Sequence, residues 1–516
     1  MTKKPNGSLL PGQPYQRATL VAMILCSGIV FLQSTVINVA LPSLGRELDT
    51  GLSGLQWIVD GYILTLAALL IPGGSLGDRY GRRSMMIVGL VGFGATSMVC
   101  GLAPTAGWLI GARVLQGVAG ALLVPGSLAI LRDVYTEREA RGEAIGQWSG
   151  WSGITTVIGP LVGGWLVDNL SWRWVFFVAV PLIAVAVWLM VRHVPESRAE
   201  DAPQRLDWLG ALLVTLGLAG IAYGLIEGPV VGWRAPGVLI GLVGGVISLF
   251  LFPFVEERQD EPMVPLKLFR SRNFTGANLT TLGVYFALQG TSFFVVLYLQ
   301  NVMGYSALAA GLVLAPTSLL LLVLSPIFGR MSGERGPRLL MTVGPLACAV
   351  GLFLFTRLSP DAGFWTGVLP ATVVFGLGMS VTVAPLTDTV MSAVSDRYSG
   401  IAAAVNNVTS RVAGLLAVAG LGVVVTLTFR AVVESRVADL SLSSSASEAI
   451  ERVAEEPTGA FDVEQFPPEA SEAVASSYTV GFRRAMIVSA SMAALGGVLA
   501  ALTIRDRTPG EEAKDG

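Results

Sequence analysis

Charge is scarce in this chain. Asp, Glu, Lys and Arg together make up 14% of its 516 residues, against roughly a quarter in an ordinary soluble protein. So few charged side chains cannot cover a water-exposed surface of that size. The near balance of 34 basic and 36 acidic residues also leaves no cationic face for nucleic acid, which recognition of phosphates requires. Histidine is scarcer still. His193 stands alone, and the three cysteines, Cys26, Cys100 and Cys348, each lie inside an apolar run, so there is no metal-ligand spacing, disulfide framework or catalytic cluster. A Gly-x-x-x-x-Gly-Lys phosphate loop is missing too, which argues against a nucleotide-driven pump. Neither a cofactor, a metal nor an enzymatic activity is expected.

What fills the chain is apolar. Hydrophobic residues make up 53% of it and mean hydropathy is +0.65. A helix needs about twenty apolar residues to cross roughly 30 Å of hydrocarbon. Fourteen such runs occur, near 19–41, 55–74, 84–102, 108–131, 144–167, 175–192, 207–227, 236–255, 275–299, 309–330, 340–357, 364–387, 399–426 and 480–503. The expected class is an all-α polytopic membrane protein.

With the N-terminus inside, the even-numbered connections and both tails are cytoplasmic and hold about 23 of the 34 Lys and Arg. The expected layout is a tail at 1–18, six helices over 19–192, a cytoplasmic connection at 193–206 and two additional helices over 207–255. A second cytoplasmic connection at 256–274, six helices over 275–503 and a tail at 504–516 complete it. The first apolar run is too long for the core of a signal peptide, so it is read as a retained helix. Between helices thirteen and fourteen, residues 429–477 turn polar and acidic, with Glu455, Glu456, Asp462 and Glu464. That composition predicts a loosely ordered external loop.

A repeat divides the chain. Gly74 to Arg83 leaves helix two with three glycines, three arginines and Asp78, and Gly329 to Arg338 leaves helix ten with the same spacing between its flanking glycines. Gly333 stands where the first copy has Asp78. Val124-Pro125 in helix four is echoed by Ala384-Pro385 in helix twelve. Duplicated six-helix halves, related by an axis along the membrane normal, enclose a site near mid-membrane in one large transporter class. Helices seven and eight are then an insertion between the halves.

Five short patterns follow in order. They are Leu32 to Pro42, ending Thr-Val-Ile-Asn-Val-Ala-Leu-Pro; Gly74-x-Leu76-x-Asp78-Arg79-x-Gly81-Arg82-Arg83; Arg113-x-x-Gln116-Gly117; Gly153 to Gly164, with Gly159-Pro160 and Gly163-Gly164; and Trp172-Arg173-Trp174. In these the chain resembles the major facilitator superfamily, and within it the fourteen-helix drug:proton antiporter family of multidrug efflux transporters. The resemblance implies two six-helix halves plus two helices, in the cell membrane, exporting amphipathic or cationic compounds in exchange for protons. It also implies that Asp78 pairs with nearby arginines among Arg79, Arg82 and Arg83 and faces the start of helix thirteen, near Ser399-Gly400, as a conformational gate. Gly153, Gly159, Pro160, Gly163 and Gly164 become a hinge where helix five meets the other half; on the residues alone they are equally a plain packing face. The expected partners are a small amphipathic substrate, protons and the bilayer, with the protein a monomer.

Charges inside the membrane are expensive, about 2.5–3.5 kcal/mol each at mid-helix even on insertion scales. Three lie well inside the runs: Asp60, Arg113 and Arg411. Asp60 is the candidate proton carrier with Arg113 as its modulator, although a structural ion pair explains them too. Arg411 is open to a polar neighbour such as Asn407 or to an anionic substrate. In the family pattern the residue two before Thr35 is commonly aspartate, whereas this chain has Gln33, which exchanges no proton. A lipid, fatty acid or endogenous metabolite exporter with unusual or absent proton coupling is therefore the alternative, and a membrane receptor or enzyme that transports nothing is a minor one. The expected cavity lining is Gln33, Asn38, Trp57, Tyr62, Trp148, Trp151, Tyr285, Gln289, Asn406, Asn407 and Arg411, aromatic enough for stacking and cation–π contact.

Overall fold

The computed structural model describes residues 14–199, 207–395, 398–437 and 468–506, apart from the side chains of Pro14, Arg138, Ser152, Gly153, Thr156, Val157 and residues 468–470. Fourteen long helices account for nearly all of them. The first six are α1 (Pro14–Glu47), α2 (Leu52–Tyr80), α3 (Arg82–Gly101), α4 (Ala106–Val134), α5 (Arg138–Asn169) and α6 (Trp174–His193). Two follow as a hairpin, α7 (Trp208–Val231) and α8 (Pro236–Glu256). The last six are α9 (Arg272–Asn301), α10 (Ala307–Arg335), α11 (Arg338–Phe355), α12 (Phe364–Ser392), α13 (Ser399–Val437) and α14 (Pro468–Thr503). Among the described residues thirteen are long and apolar enough to cross a membrane; α5, some of whose side chains are not described, is the fourteenth.

Short polar caps start several of them. Thr105, Asp207, Ser271 and Ser306 each accept a hydrogen bond from a backbone N–H in the first turn of α4, α7, α9 and α10, the donors that a helix start otherwise leaves unpaired.

The helices run beyond the apolar runs that betray them. The predicted loop 429–477 is helical at both ends, where α13 continues to Val437 and α14 begins at Pro468. Its acidic middle, including Glu455, Glu456, Asp462 and Glu464, lies outside the described residues. A polar turn ends a hydrophobic run but not a backbone hydrogen-bond ladder. Helix four is not continuous: it breaks at Leu122-Leu123 into Ala106–Ala121 and Val124–Val134, with Pro125 at the start of the second piece. Pro385 lies inside an unbroken segment of α12, so the echo of the two prolines does not extend to the break.

The halves repeat with an offset of eight helices. In the first, α2 and α3 pack on α4 and α1 packs on α5 and α6; in the second, α10 and α11 pack on α12 and α9 packs on α13 and α14. The two glycine-flanked turns carry the correspondence to atomic detail. Gly81 has φ +116° and Gly336 φ +87°, a region that a residue with a Cβ enters only under strain. Each turn is then held by an acid arriving after the last helix of its half. Glu196 accepts from the backbone N–H groups of Arg83 (3.0 Å) and Ser84 (3.2 Å), and Asp506 from that of Arg338 (3.0 Å). Arg83 donates to the Val194 carbonyl and Arg338 to that of Ala501.

Candidate functional site

The halves meet along two seams that the repeat makes equivalent, α5 against α10 and α13 against α2. Each is closed at the end of the bundle opposite the Gly81 and Gly336 turns. At that opposite end the Asp168 carboxylate accepts from the Ala307 and Leu308 N–H groups, both at 2.9 Å, and so caps α10. Gly164 lies so near the Leu308 backbone that a Cβ would sit 2.5 Å from its Cα, and a Cβ on Gly311 would meet the Pro160 carbonyl at the same distance. On the other seam Gln56 donates to the Val418 carbonyl (2.5 Å) and fills the space beside Gly422. Gln300 on α9 adds a bond to the Val39 carbonyl on α1 (3.0 Å).

At the turn end the halves separate. A cavity of about 410 Å³ opens between α2 and α4 on one side and α13 on the other, from Asp78, Arg82 and Arg132 at its rim inward to Asn407. Asp78 accepts from Arg82 (2.8 Å), and Arg82 also reaches Asp133 (2.5 Å). The expected facing of Asp78 and the start of α13 takes a different form here. Both line the cavity, and Arg132 is the group that approaches Gly400. Gly333, in the second copy, has open space around it.

The expected hinge splits between two neighbours. Gly159 and Gly163 pack against Thr35 and Val36 of α1, while Pro160 and Gly164 meet α10; Gly153 lies outside the described side chains. One row of small residues thus lets α5 approach its own half and the other half at once.

Asp60 is fully enclosed and neither carboxylate oxygen has a hydrogen-bond partner among the described residues. Residues three and four apart share a helix face, so Asp60 stands one turn beyond both Trp57 and Gln56. Gln56 faces α13. Trp57 faces α7, donating its indole N–H to Glu227 (2.8 Å). Asp60 therefore lies where α2, α7 and α13 converge. The expected partnership with Arg113 is not formed: the ion pairs among the described residues are Arg82–Asp78, Arg82–Asp133 and Arg173–Glu47. Arg113 instead braces its own half. It donates to the Ile58 carbonyl (3.0 Å) and to Gln116 (2.7 Å), which holds Ser97 (2.8 Å), and it lies 4.2 Å from the centre of the Tyr62 ring.

The proposed cavity lining divides in the same way. Gln33, fully buried, donates to the Val175 carbonyl (2.8 Å) and ties α1 to α6. Asn38 is buried, Trp57 is committed to α7, Tyr62 donates to the Val30 carbonyl, and Asn406 ties α13 to Thr281 on α9. Trp148 donates to Ser27 and Trp151 is exposed. Tyr285, Gln289, Asn407 and Arg411 are half-buried, and Arg411 lies 5.5 Å from the Phe31 ring rather than on Asn407. Composition did not single out Asp168, Gln56 or Glu227. Each is a polar residue near the end of an apolar run, and that was the available signal.

Three comparisons fit this geometry. Residues 23–418 match the profile described as Major Facilitator Superfamily. The chain is 33% identical over 520 residues to the tetracenomycin C resistance and export protein of Streptomyces glaucescens, covering 98% of this chain and 94% of that one. It is 36% identical over 437 residues to a puromycin resistance protein of Streptomyces alboniger, covering 83% and 86%. Among solved structures, a bacterial homologue of the human lysosomal transporter Spinster, inward-facing and unoccupied, superposes with a TM-score of 0.65 at 20% identity over 97% of this chain and 100% of that one.

Proposed function

Because the chain belongs to the major facilitator superfamily, we propose that it is a secondary active exporter of amphipathic organic compounds, drugs or toxic metabolites, working by alternating access and coupled to protons through Asp60. Relatives named for resistance to, or export of, antibiotics support the direction and the substrate class. The basic turn at Arg79, Arg82 and Arg83 supports a cytoplasmic turn end in the cell membrane with both termini inside. The conformation is then inward-facing: the external end is sealed, and the cavity opens to the cytoplasm.

The carrying observation is the enclosed, unpartnered Asp60 at the junction of α2, α7 and α13. An unpaired buried charge costs several kcal/mol, so the closed external seam suits the neutral acid. Loss of the proton to the cytoplasm destabilises that seam and drives opening to the outside, where water receives the carboxylate. A new proton closes it again. That order of events exchanges a proton moving inward for a compound moving outward. In this scheme the Asp78–Arg82–Asp133 cluster is the cytoplasmic gate, closing the cavity when Asp78 meets the start of α13. The glycines of α5 let that helix roll on α10.

The test is substrate-driven proton movement in vesicles holding wild type or Asp60→Asn. The variant is expected to bind substrate but lose dependence on the gradient; gradient-dependent transport at the wild-type level removes Asp60 from the mechanism. One observation favours a second reading. Gln33, which replaces the helix-one acid, is locked to Val175 as a brace, as suits an exporter of a lipid or endogenous metabolite with little or no proton coupling.

A further inference from the structure

The two arginines in the middle of the bundle are treated differently, and the difference concerns the substrate. Arg113 is buried with its guanidinium on Ile58 and Gln116, as the expense of a charge in the membrane requires. Arg411 makes no hydrogen bond or ion pair with a described residue. The Phe31 ring lies 5.5 Å away, and the Tyr62 and Tyr285 hydroxyls are near enough to act on its charge. It is half-buried, and it lies one turn deeper on α13 than Asn407, the innermost cavity residue of that helix. Its charge thus stands, partly exposed and unmatched, one turn beyond the inner end of the cavity. Beside it, Gln289 packs on Gly414, three residues along α13 from Arg411, and its Nε2 is buried without an acceptor. A guanidinium and an amide N–H can only donate. The region just beyond the cavity therefore holds unmatched donors beside an aromatic face. The mid-span acid, Asp60, is shut away in the seam with no exposure.

We propose that the exported compound is an aromatic molecule bearing an acidic oxygen, a phenolate, enolate or carboxylate, seated with that oxygen on Arg411 and Gln289 and its ring against Phe31 and Tyr285. The proposal rests on the exporter reading and narrows its amphipathic compounds to acidic ones, where the family resemblance implies cationic ones. A cationic drug brings no acceptor and meets an uncompensated positive charge; an anionic oxygen brings the acceptors that the site lacks, in the charge-assisted bonds that arginine forms best.

The test is equilibrium binding to the purified full-length protein in detergent, read by the fluorescence of anthracene carboxylate and of its aminomethyl counterpart, which has the same ring and the opposite charge. The carboxylate is expected to bind about tenfold or more tightly than the cation. Arg411→Gln should weaken the carboxylate about tenfold, Arg411→Lys less, and Gln289→Leu a few-fold, with weak cation binding unmoved. Equal or tighter binding of the cation overturns the proposal, and so does carboxylate binding that is indifferent to both Arg411→Gln and Gln289→Leu. If Arg411→Gln does not yield folded protein, Gln289→Leu alone decides. No gradient or transport enters this measurement. Intact carboxylate binding by a protein that exports nothing from vesicles counts against the exporter reading only.

Discussion

The two seams between the halves occupy equivalent places in the repeat, yet they close by different means. On the α5–α10 side backbone meets backbone: Gly164 against Leu308, Gly311 against Pro160, and a carboxylate on the first N–H groups of α10. On the α2–α13 side the contact is made by a side chain, Gln56 on Val418. A third helix covers that seam. α7 is fastened to α2 by Glu227 on Trp57 (2.8 Å) and to α13 by Arg430, which donates to the Pro229 carbonyl (2.5 Å). A glycine seam has little tolerance in volume and suits a contact that is either made or broken. A side-chain seam can be adjusted, and the buried acid lies beside that one. The inserted hairpin thus breaks the symmetry of the fold beside the buried acid.

If this contrast is right, added volume acts hardest on the glycine seam. Gly164→Val should reduce export by at least about tenfold, since a small-to-large change in a tight contact costs roughly 1–3 kcal/mol, whereas Gly142→Val, where a Cβ meets nothing within 4 Å, should transport normally. Equal damage from both would mean that α5 is intolerant throughout. Removing the cap is the next largest effect. Asp168→Ala removes the carboxylate from the start of α10, a loss of about 0.5–2 kcal/mol, and should raise labelling of Ala307→Cys by an impermeant maleimide from outside by about tenfold in a cysteine-free background. Unchanged labelling would show that the glycine contacts suffice.

On the other seam, Glu227→Ala or Trp57→Phe removes one bond of about 1 kcal/mol and should raise external labelling of Val418→Cys only a few-fold, with Glu227→Gln, which keeps an acceptor, near wild type. A Gln variant as open as the Ala variant would mean that the charge of Glu227, not its bond to Trp57, holds the hairpin. The smallest effect is expected at the turn that lost its acid: Gly333→Ala, in open space within α10, should leave transport unchanged and thermal stability the same or higher by up to about 1 kcal/mol. Loss of transport there would give the second turn a gating role despite its missing carboxylate.

Fourteen helices, two halves and the paired glycine turns could be read from the chain because each depends on local facts: the length of an apolar run, a positive-φ position, a spacing repeated. Cation placement suggests which end faces the cytoplasm for the same reason. The partners of the polar residues could not be read this way. Gln33 looked like cavity lining and is a brace; Arg113 looked like the partner of Asp60 and holds α2 and α3 instead; Glu227 drew no notice and fastens a helix. In water a helix marks its buried face by hydrophobic periodicity, but in lipid the outer face is as apolar as the core, so periodicity says little about which side turns inward. The rotation of each helix about its axis, and the choice of neighbour from residues more than a hundred positions away, were therefore decided only by tertiary packing. That packing shut Asp60 into a seam and left Arg411 without a hydrogen-bond or ion-pair partner among the described residues.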